Sequence, residues 1–183
     1  MMSSFTGQLA LSTADAVNAA VASILAENIP GALQCHQAAP VNDRRGTDFW
    51  VEHARGDHLS VDVKIRTTDF SVHPNPNIRA DDLALERWSV VDKRIPGWPL
   101  DDTKRTDFVL WFWVDTGRWF LCPFMPLVAA FRANVHTWYR TYPVHRQTTD
   151  DFGGYSSEII LVPRKVVWDA MYAAGSGHTG ASA

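Results

Sequence analysis

Apolar positions along the chain repeat with two different periods, and the changes of period mark out its elements. Val17, Val21, Ile24 and Leu25 recur at helical spacing after Ser12-Thr13-Ala14-Asp15, which has the form of a capping box with Asp in place of Glu. Pro30-Gly31 stops that run, and a polar loop from Pro40 to Gly46 follows. Residues 47–54 (TDFWVEHA) and 59–66 (LSVDVKIR) alternate with a period of two, and Arg55-Gly56-Asp57-His58 between them reads as a hairpin turn. In the second run Leu59, Val61, Val63 and Ile65 point to one face, while Ser60, Asp62, Lys64 and Arg66 point to the other.

Beyond the proline-containing loop of residues 73–77, residues 81–91 (DDLALERWSVV) fit either a helix or a strand, ended by Ile95-Pro96-Gly97-Trp98-Pro99. Residues 106–114 and 118–124 form a second pair of β runs around Asp115-Thr116-Gly117. Residues 126–139 place proline at a first helical position and bring Leu127, Ala130, Phe131, Val135 and Trp138 to one side, as in a packing helix. A strand over 157–162 and a short helix opened by Pro163 complete the pattern. There is no internal repeat and no dividing linker. The order predicts a single α/β or α+β domain over residues 1–174, with a central mixed β-sheet flanked by helices. The composition of residues 175–183 predicts a disordered tail.

Composition removes several classes of function. The 183 residues are 46% hydrophobic and 20% charged, as in ordinary globular domains, which excludes disordered and fibrous roles. No run of about 18 apolar residues exists, and the N-terminus lacks the basic start and apolar core of a signal peptide, so a cytoplasmic location is expected. Cys35 and Cys122 are too few for a disulfide framework and read as buried thiols. The formal charge of −3 argues against a general polyanion coat, yet it is compatible with a basic face offset by an acidic metal site. Phosphate-binding glycine loops, GxGxxG, GxSxG and HExxH patterns are absent.

The candidate chemistry lies on the polar face of 59–66. Asp62 and Lys64 project from the same face two residues apart, and Asp48 precedes Asp62 by 14 residues on the partner strand. Magnesium takes one or two carboxylates and completes its octahedron with water and substrate phosphate, so Asp48 and Asp62 are suitable ligands. A neighbouring lysine orients the attacking water or stabilises charge on the phosphate. The bland reading of the same residues is a solvated face with a cross-strand salt bridge, worth about 0.2 to 1 kcal/mol. With 20 acidic residues and four lysines, roughly 0.4 Asp/Glu-x-Lys triplets are expected by chance. Two occur, and the second, Asp102-Thr103-Lys104, lies in a polar stretch with no pleated scaffold, so the first is the expected site.

A helix, then Asp48 in GTDFW, then Asp62-Val63-Lys64 in LSVDVKIR resembles the PD-(D/E)XK nuclease superfamily. The continuation LALERWSVV, IPGWP and KRTDFVLWFWV is similar to a small phage and mobile-element branch of it. The resemblance covers about residues 13–165 in element order and three to five positions in motif, with Thr47 where the motif has proline. It implies a restriction-endonuclease-like core and a Mg²⁺- or Mn²⁺-dependent deoxyribonuclease, with RNA as the other substrate to weigh. Asp48 and Asp62 are then metal ligands and Lys64 the catalytic lysine. Some members add a helix glutamate, for which Glu27 is the candidate; Glu86 in LALERW is a further candidate ligand, whereas Asp107 reads as a cap or turn residue. Arg66, on the face of Lys64, is a candidate for gripping the scissile phosphate.

Residues 116–149 contain no Asp or Glu before the acidic pair that follows, but include Arg118, Arg132, Arg140 and Arg146 interleaved with Trp138, Tyr139 and Tyr142. This pattern suits phosphate contact with base stacking, and it nominates Arg132, Arg140 and Arg146 for nucleic-acid binding. The competing reading places Phe131 and Trp138 in the core. Two-strand cleavage in this superfamily is often the work of a dimer, which admits a homodimer, although no self-complementary helix or heptad argues for one. Two other classes stay open: a catalytically silent module that binds nucleic acid or protein on the same fold, and a phage-encoded inhibitor of a host protein acting through exposed aromatic residues.

Overall fold

A computed structural model describes residues 15–39, 46–149 and 154–176. The first residues of the expected capping box, the loop 40–45 and the tail beyond Ser176 lie outside the described residues. The fold is α+β. In chain order the elements are α1 (Asp15–Asn28), β1 (Ala32–Gln37), β2 (Phe49–His53), β3 (His58–Arg66), β4 (Asp82–Val90), β5 (Ile95–Pro96), β6 (Phe108–Trp113), β7 (Trp119–Pro123), α2 (Phe124–Thr141), β8 (Val144–Thr149), β9 (Tyr155–Pro163) and α3 (Arg164–Ser176). They build two compact units, one from residues up to Asp69 plus Thr103–Phe124, the other from Phe70–Asp102 plus the chain from Met125.

The first unit holds a mixed five-stranded sheet in the order β1-β2-β3-β6-β7. β1, β2 and β3 form an antiparallel meander, β6 joins β3 in parallel, and β7 returns antiparallel to β6. Parallel neighbours cannot be joined by a tight turn, and the connection from β3 to β6 contains β4 and β5 of the other sheet. Helix α1 lays Val17, Val21 and Leu25 against Phe49, Val51, Val61, Leu110 and Phe112, all buried. Leu59, Val63 and Ile65 pack on the same cluster, as the period-two reading of 59–66 requires. The polar residues of β3 are thereby turned to the opposite face.

The far end of β3 is pinned by charge. Asp69 is fully buried, and its carboxylate takes the Arg118 guanidinium at 2.8 Å and the Thr116 hydroxyl at 2.8 Å. Arg118 also lies 4.5 Å over the Trp113 ring, so the β6–β7 hairpin closes on the segment after β3.

The second unit has a four-stranded antiparallel sheet in the order β5-β4-β9-β8, with α3 packed on β9. Residues 82–90 are a strand, which decides between the two readings of that segment. Gly97, after β5, has no room for a side chain, because a Cβ there would stand 2.1 Å from the Glu86 carbonyl oxygen. Phe131 and Trp138 of α2 are buried with ring centroids 6.1 Å apart, so the core reading of those two aromatics holds.

The differences from the sequence reading are local. Strands β1 and β8 were not expected; both are edge strands, and their sequences ALQCHQ and VHRQTT lack the apolar alternation that marks a half-buried strand. Residues 95–96, expected only as a terminator, pair with β4. Helix α2 starts at Phe124, two residues before Pro126, and α3 runs through Gly175 and Ser176. Cys122 is buried as expected, but Cys35 on edge strand β1 is only half-buried. Among the described residues no helix is long and apolar enough to cross a membrane.

Candidate metal and phosphate site

The register of β2 and β3 brings two carboxylates together. Phe49 pairs with Val61, and the Asp48 N–H donates to the Val61 carbonyl at 2.9 Å, which carries the ladder one residue past β2. Asp48 thereby comes beside Asp62, close enough for the two carboxylates to act on one another. Its Oδ2 accepts the Val63 N–H at 2.6 Å, which aims the carboxylate at the strand bearing Asp62. Asp62 is 5% exposed, and the Lys64 ammonium stands 2.8 Å from both of its carboxylate oxygens.

Low-polarity neighbours surround this group. In the parallel pairing, Asp62 lies beside Val109, Lys64 beside Trp111 and Arg66 beside Trp113, and all three β6 residues are buried. Burial and then the Asp62 charge push the Asp48 carboxyl up to about 7, against the lowering effects of the Val63 N–H and the Lys64 ammonium. Like charges brought close together at low polarity are destabilising. A salt bridge does form, between Lys64 and Asp62 within β3 and part-buried instead of cross-strand and solvated, and it offsets the charge of one of the two carboxylates. Hard divalent cations take carboxylate oxygens, so Asp48 and Asp62 are the residues here that could hold one.

A polar clamp borders the pair. The Asp107 carboxylate accepts the Ser60 N–H and the Ser60 hydroxyl, each at 2.8 Å, which is the cap role expected of it. The Arg105 carbonyl accepts the hydroxyls of Thr47 at 3.5 Å and Ser60 at 3.4 Å, and the Thr106 hydroxyl donates to the Ser60 carbonyl at 3.1 Å. These bonds hold residues 105–107 against the residue before Asp48 and the residue two before Asp62. They also carry Lys104 into the site's surroundings, where a Cβ built on Gly46 would lie 3.9 Å from both the Lys104 Nζ and the Asp62 Oδ2. The sequence reading had set Lys104 aside with its triplet.

The other nominated residues stand elsewhere. Glu27 is exposed on α1, where its carboxylate accepts the Ser23 hydroxyl at 2.8 Å. Glu86, in the second unit, accepts the Ser89 hydroxyl at 2.8 Å and the Trp98 N–H at 3.3 Å. Among the described residues no group of three or more His, Cys, Asp or Glu is placed to hold a metal ion, so the candidate rests on two carboxylates. Arg66 lies on the face of Lys64, half-buried. Arg132 pairs with Asp102, and the Arg140 guanidinium donates to the His136 carbonyl at 3.3 Å. Arg146 shares the buried Glu158 with Arg87, at 3.3 and 3.2 Å, and Arg87 lies 4.2 Å over the Tyr139 ring. A surface groove lined by Asn75, Asn77, Arg79, Asp82 and His145 in the second unit includes none of the nominated residues.

No family model, curated protein or solved structure matches this chain.

The Asp48 carboxyl makes a pH-dependent contribution to stability. Its folded value of about 7 lies above the ordinary 3.8, so between these limits the folded state holds the extra proton and stability falls as pH rises. Asp48→Asn keeps an acceptor for the Val63 N–H and removes the buried charge. At pH 8 it is expected to gain about 2 kcal/mol and raise the melting temperature by roughly 4 to 8 °C, with the gain vanishing near pH 4. Melting curves of both proteins from pH 4 to 8 check this; a lower melting temperature for the variant at pH 8 would contradict it.

Proposed function

We propose that the protein is a Mg²⁺- or Mn²⁺-dependent nuclease that hydrolyses phosphodiester bonds of DNA. The observation that supports this reading is the close pair of half-buried Asp48 and buried Asp62, with the Lys64 ammonium 2.8 Å from Asp62. A purely structural role leaves the cost of that pair unexplained. The PD-(D/E)XK resemblance of the sequence points the same way.

Asp48 and Asp62 are the ligands for the cation. When bound, the cation supplies Lewis acidity, lowering the pKa of a water and polarising a phosphoryl oxygen. Lys64, held on Asp62, orients that water and offsets charge on the phosphate. Arg66 stands two residues further along the strand, about 7 Å on, where its guanidinium grips a phosphate oxygen of the substrate. In the net reaction the water oxygen bonds to phosphorus, the bond from phosphorus to the leaving oxygen breaks, and that oxygen takes up the proton the water gives up. On the second unit, exposed Arg140 and Arg146 serve as further phosphate contacts: Arg146 keeps 63% of its side chain exposed although Glu158 accepts from its Nε, whereas Arg132 is 46% exposed and engaged by Asp102.

Nicking of supercoiled plasmid in Mg²⁺ or Mn²⁺ tests the assignment. Wild type is expected to nick the plasmid, EDTA to stop it, and Asp62→Ala to lower the rate by about 10²- to 10³-fold. Equal activity in wild type and Asp62→Ala would sink it. Metal-independent DNA binding that survives Asp62→Ala and weakens on Arg140→Ala would favour the silent binding module instead.

The phosphate contacts are tested separately by the salt dependence of DNA affinity. Removing Arg140 or Arg146 is expected to lower the slope of log affinity against log salt by about 1 each; an unchanged slope in both variants would remove them from the interface.

A further inference from the structure

We infer that Lys104 is a second phosphate-contacting lysine of the Asp48/Asp62 centre, an inference that rests on the nuclease reading. Three observations converge on it. Gly46 is buried two residues before Asp48 and has φ +81°, a conformation that favours glycine. A Cβ at that position would stand 3.1 Å from the Lys104 Cδ, so the bare backbone leaves the lysine stem its path. Lys104 Nζ and Asp62 Oδ2 both lie 3.9 Å from the same point, so the ammonium stands at most about 8 Å from that carboxylate oxygen, a span that a phosphate group can bridge. The clamp from Thr47 and Ser60 onto residues 105–107 holds the chain next to Lys104 against the segments that carry the acids.

Charge shows what a second ammonium does there. With both carboxylates ionised, Asp48, Asp62 and Lys64 sum to −1, and Lys104 brings the centre to zero. A divalent cation then makes it +2. Attack of a hydroxide-like oxygen on a phosphodiester monoanion develops a charge of −2 in the transition state, which this centre matches. The second Asp-x-Lys triplet thus divides its work: Asp102 pairs with Arg132, and Lys104 serves the phosphate.

The test compares wild type, Lys104→Met, which keeps most of the stem, and Lys104→Arg. It uses plasmid nicking in Mg²⁺, calorimetric titration with Mn²⁺ in the absence of DNA, and melting temperature. Lys104→Met is expected to lose about 10²-fold in kcat and Lys104→Arg to recover most of it. Lys104→Met is also expected to bind Mn²⁺ roughly tenfold more tightly, because a positive charge has left the neighbourhood of the ligands. A lysine with only a structural role would lower the melting temperature and weaken Mn²⁺ binding along with nicking, which overturns the inference. Wild-type kcat and Mn²⁺ affinity in Lys104→Met, in a protein whose wild type nicks DNA, overturn the inference and leave the nuclease reading standing. A wild type that does not nick DNA overturns both.

Discussion

Two carboxylates, Asp48 and Asp62, are held beside one another by the backbone of β3 and the residue that leads into β2. The alternation of 59–66 commits Val61 and Val63 to the core under α1, and therefore commits Asp62 to the other face. The ladder bond from Asp48 to Val61 and the Val63 N–H on the Asp48 carboxylate then leave Asp48 with one place to be. A slip of one residue would relieve the repulsion, but it would also turn the whole apolar set of β3 toward the wrong side. The hydrophobic core of the first unit thus enforces the electrostatic cost of the site, a cost that the proposed cation would recover.

The parallel addition of β6 adds the second ingredient. Trp111 and Trp113 stand beside Lys64 and Arg66, and their burial lowers the local polarity in which the charges interact. The β6–β7 hairpin is fixed at its tip by Arg118 on buried Asp69, and at the start of β6 by Asp107 on Ser60. Both ends of the strand are therefore anchored by charge-assisted bonds, and the acids are bordered by a rigid scaffold on one side and the antiparallel hairpin on the other.

Much of this was legible in the sequence, for a physical reason. The hairpin 47–66 combines strict period-two alternation with a glycine turn, so the strands, their faces and the convergence of Asp48, Asp62 and Lys64 followed from local rules. Helix α1 and the β6–β7 hairpin were legible on the same grounds. The edge strands β1 and β8 were not, because a strand paired on one side and exposed on its faces has no apolar pattern to read. Lys104 was missed because its position depends on bonds from Thr47 and Ser60, more than 40 residues away in sequence. The arginine-rich stretch after Thr116 looked like an uncompensated basic region, yet Arg118, Arg132 and Arg146 each meet a carboxylate from a distant segment. A one-dimensional charge count cannot see those pairings.

In the proposed function the Asp48/Asp62 pair binds a divalent cation. Its most direct test is the number of protons released when Mg²⁺ or Mn²⁺ binds, obtained by calorimetry in buffers of different ionisation enthalpy. A carboxyl raised to about 7 is about half protonated at neutral pH, so cation binding at pH 7 is predicted to release about half a proton, falling toward zero at pH 9. Absence of cation binding, or binding at pH 7 with no proton release, would contradict the claim.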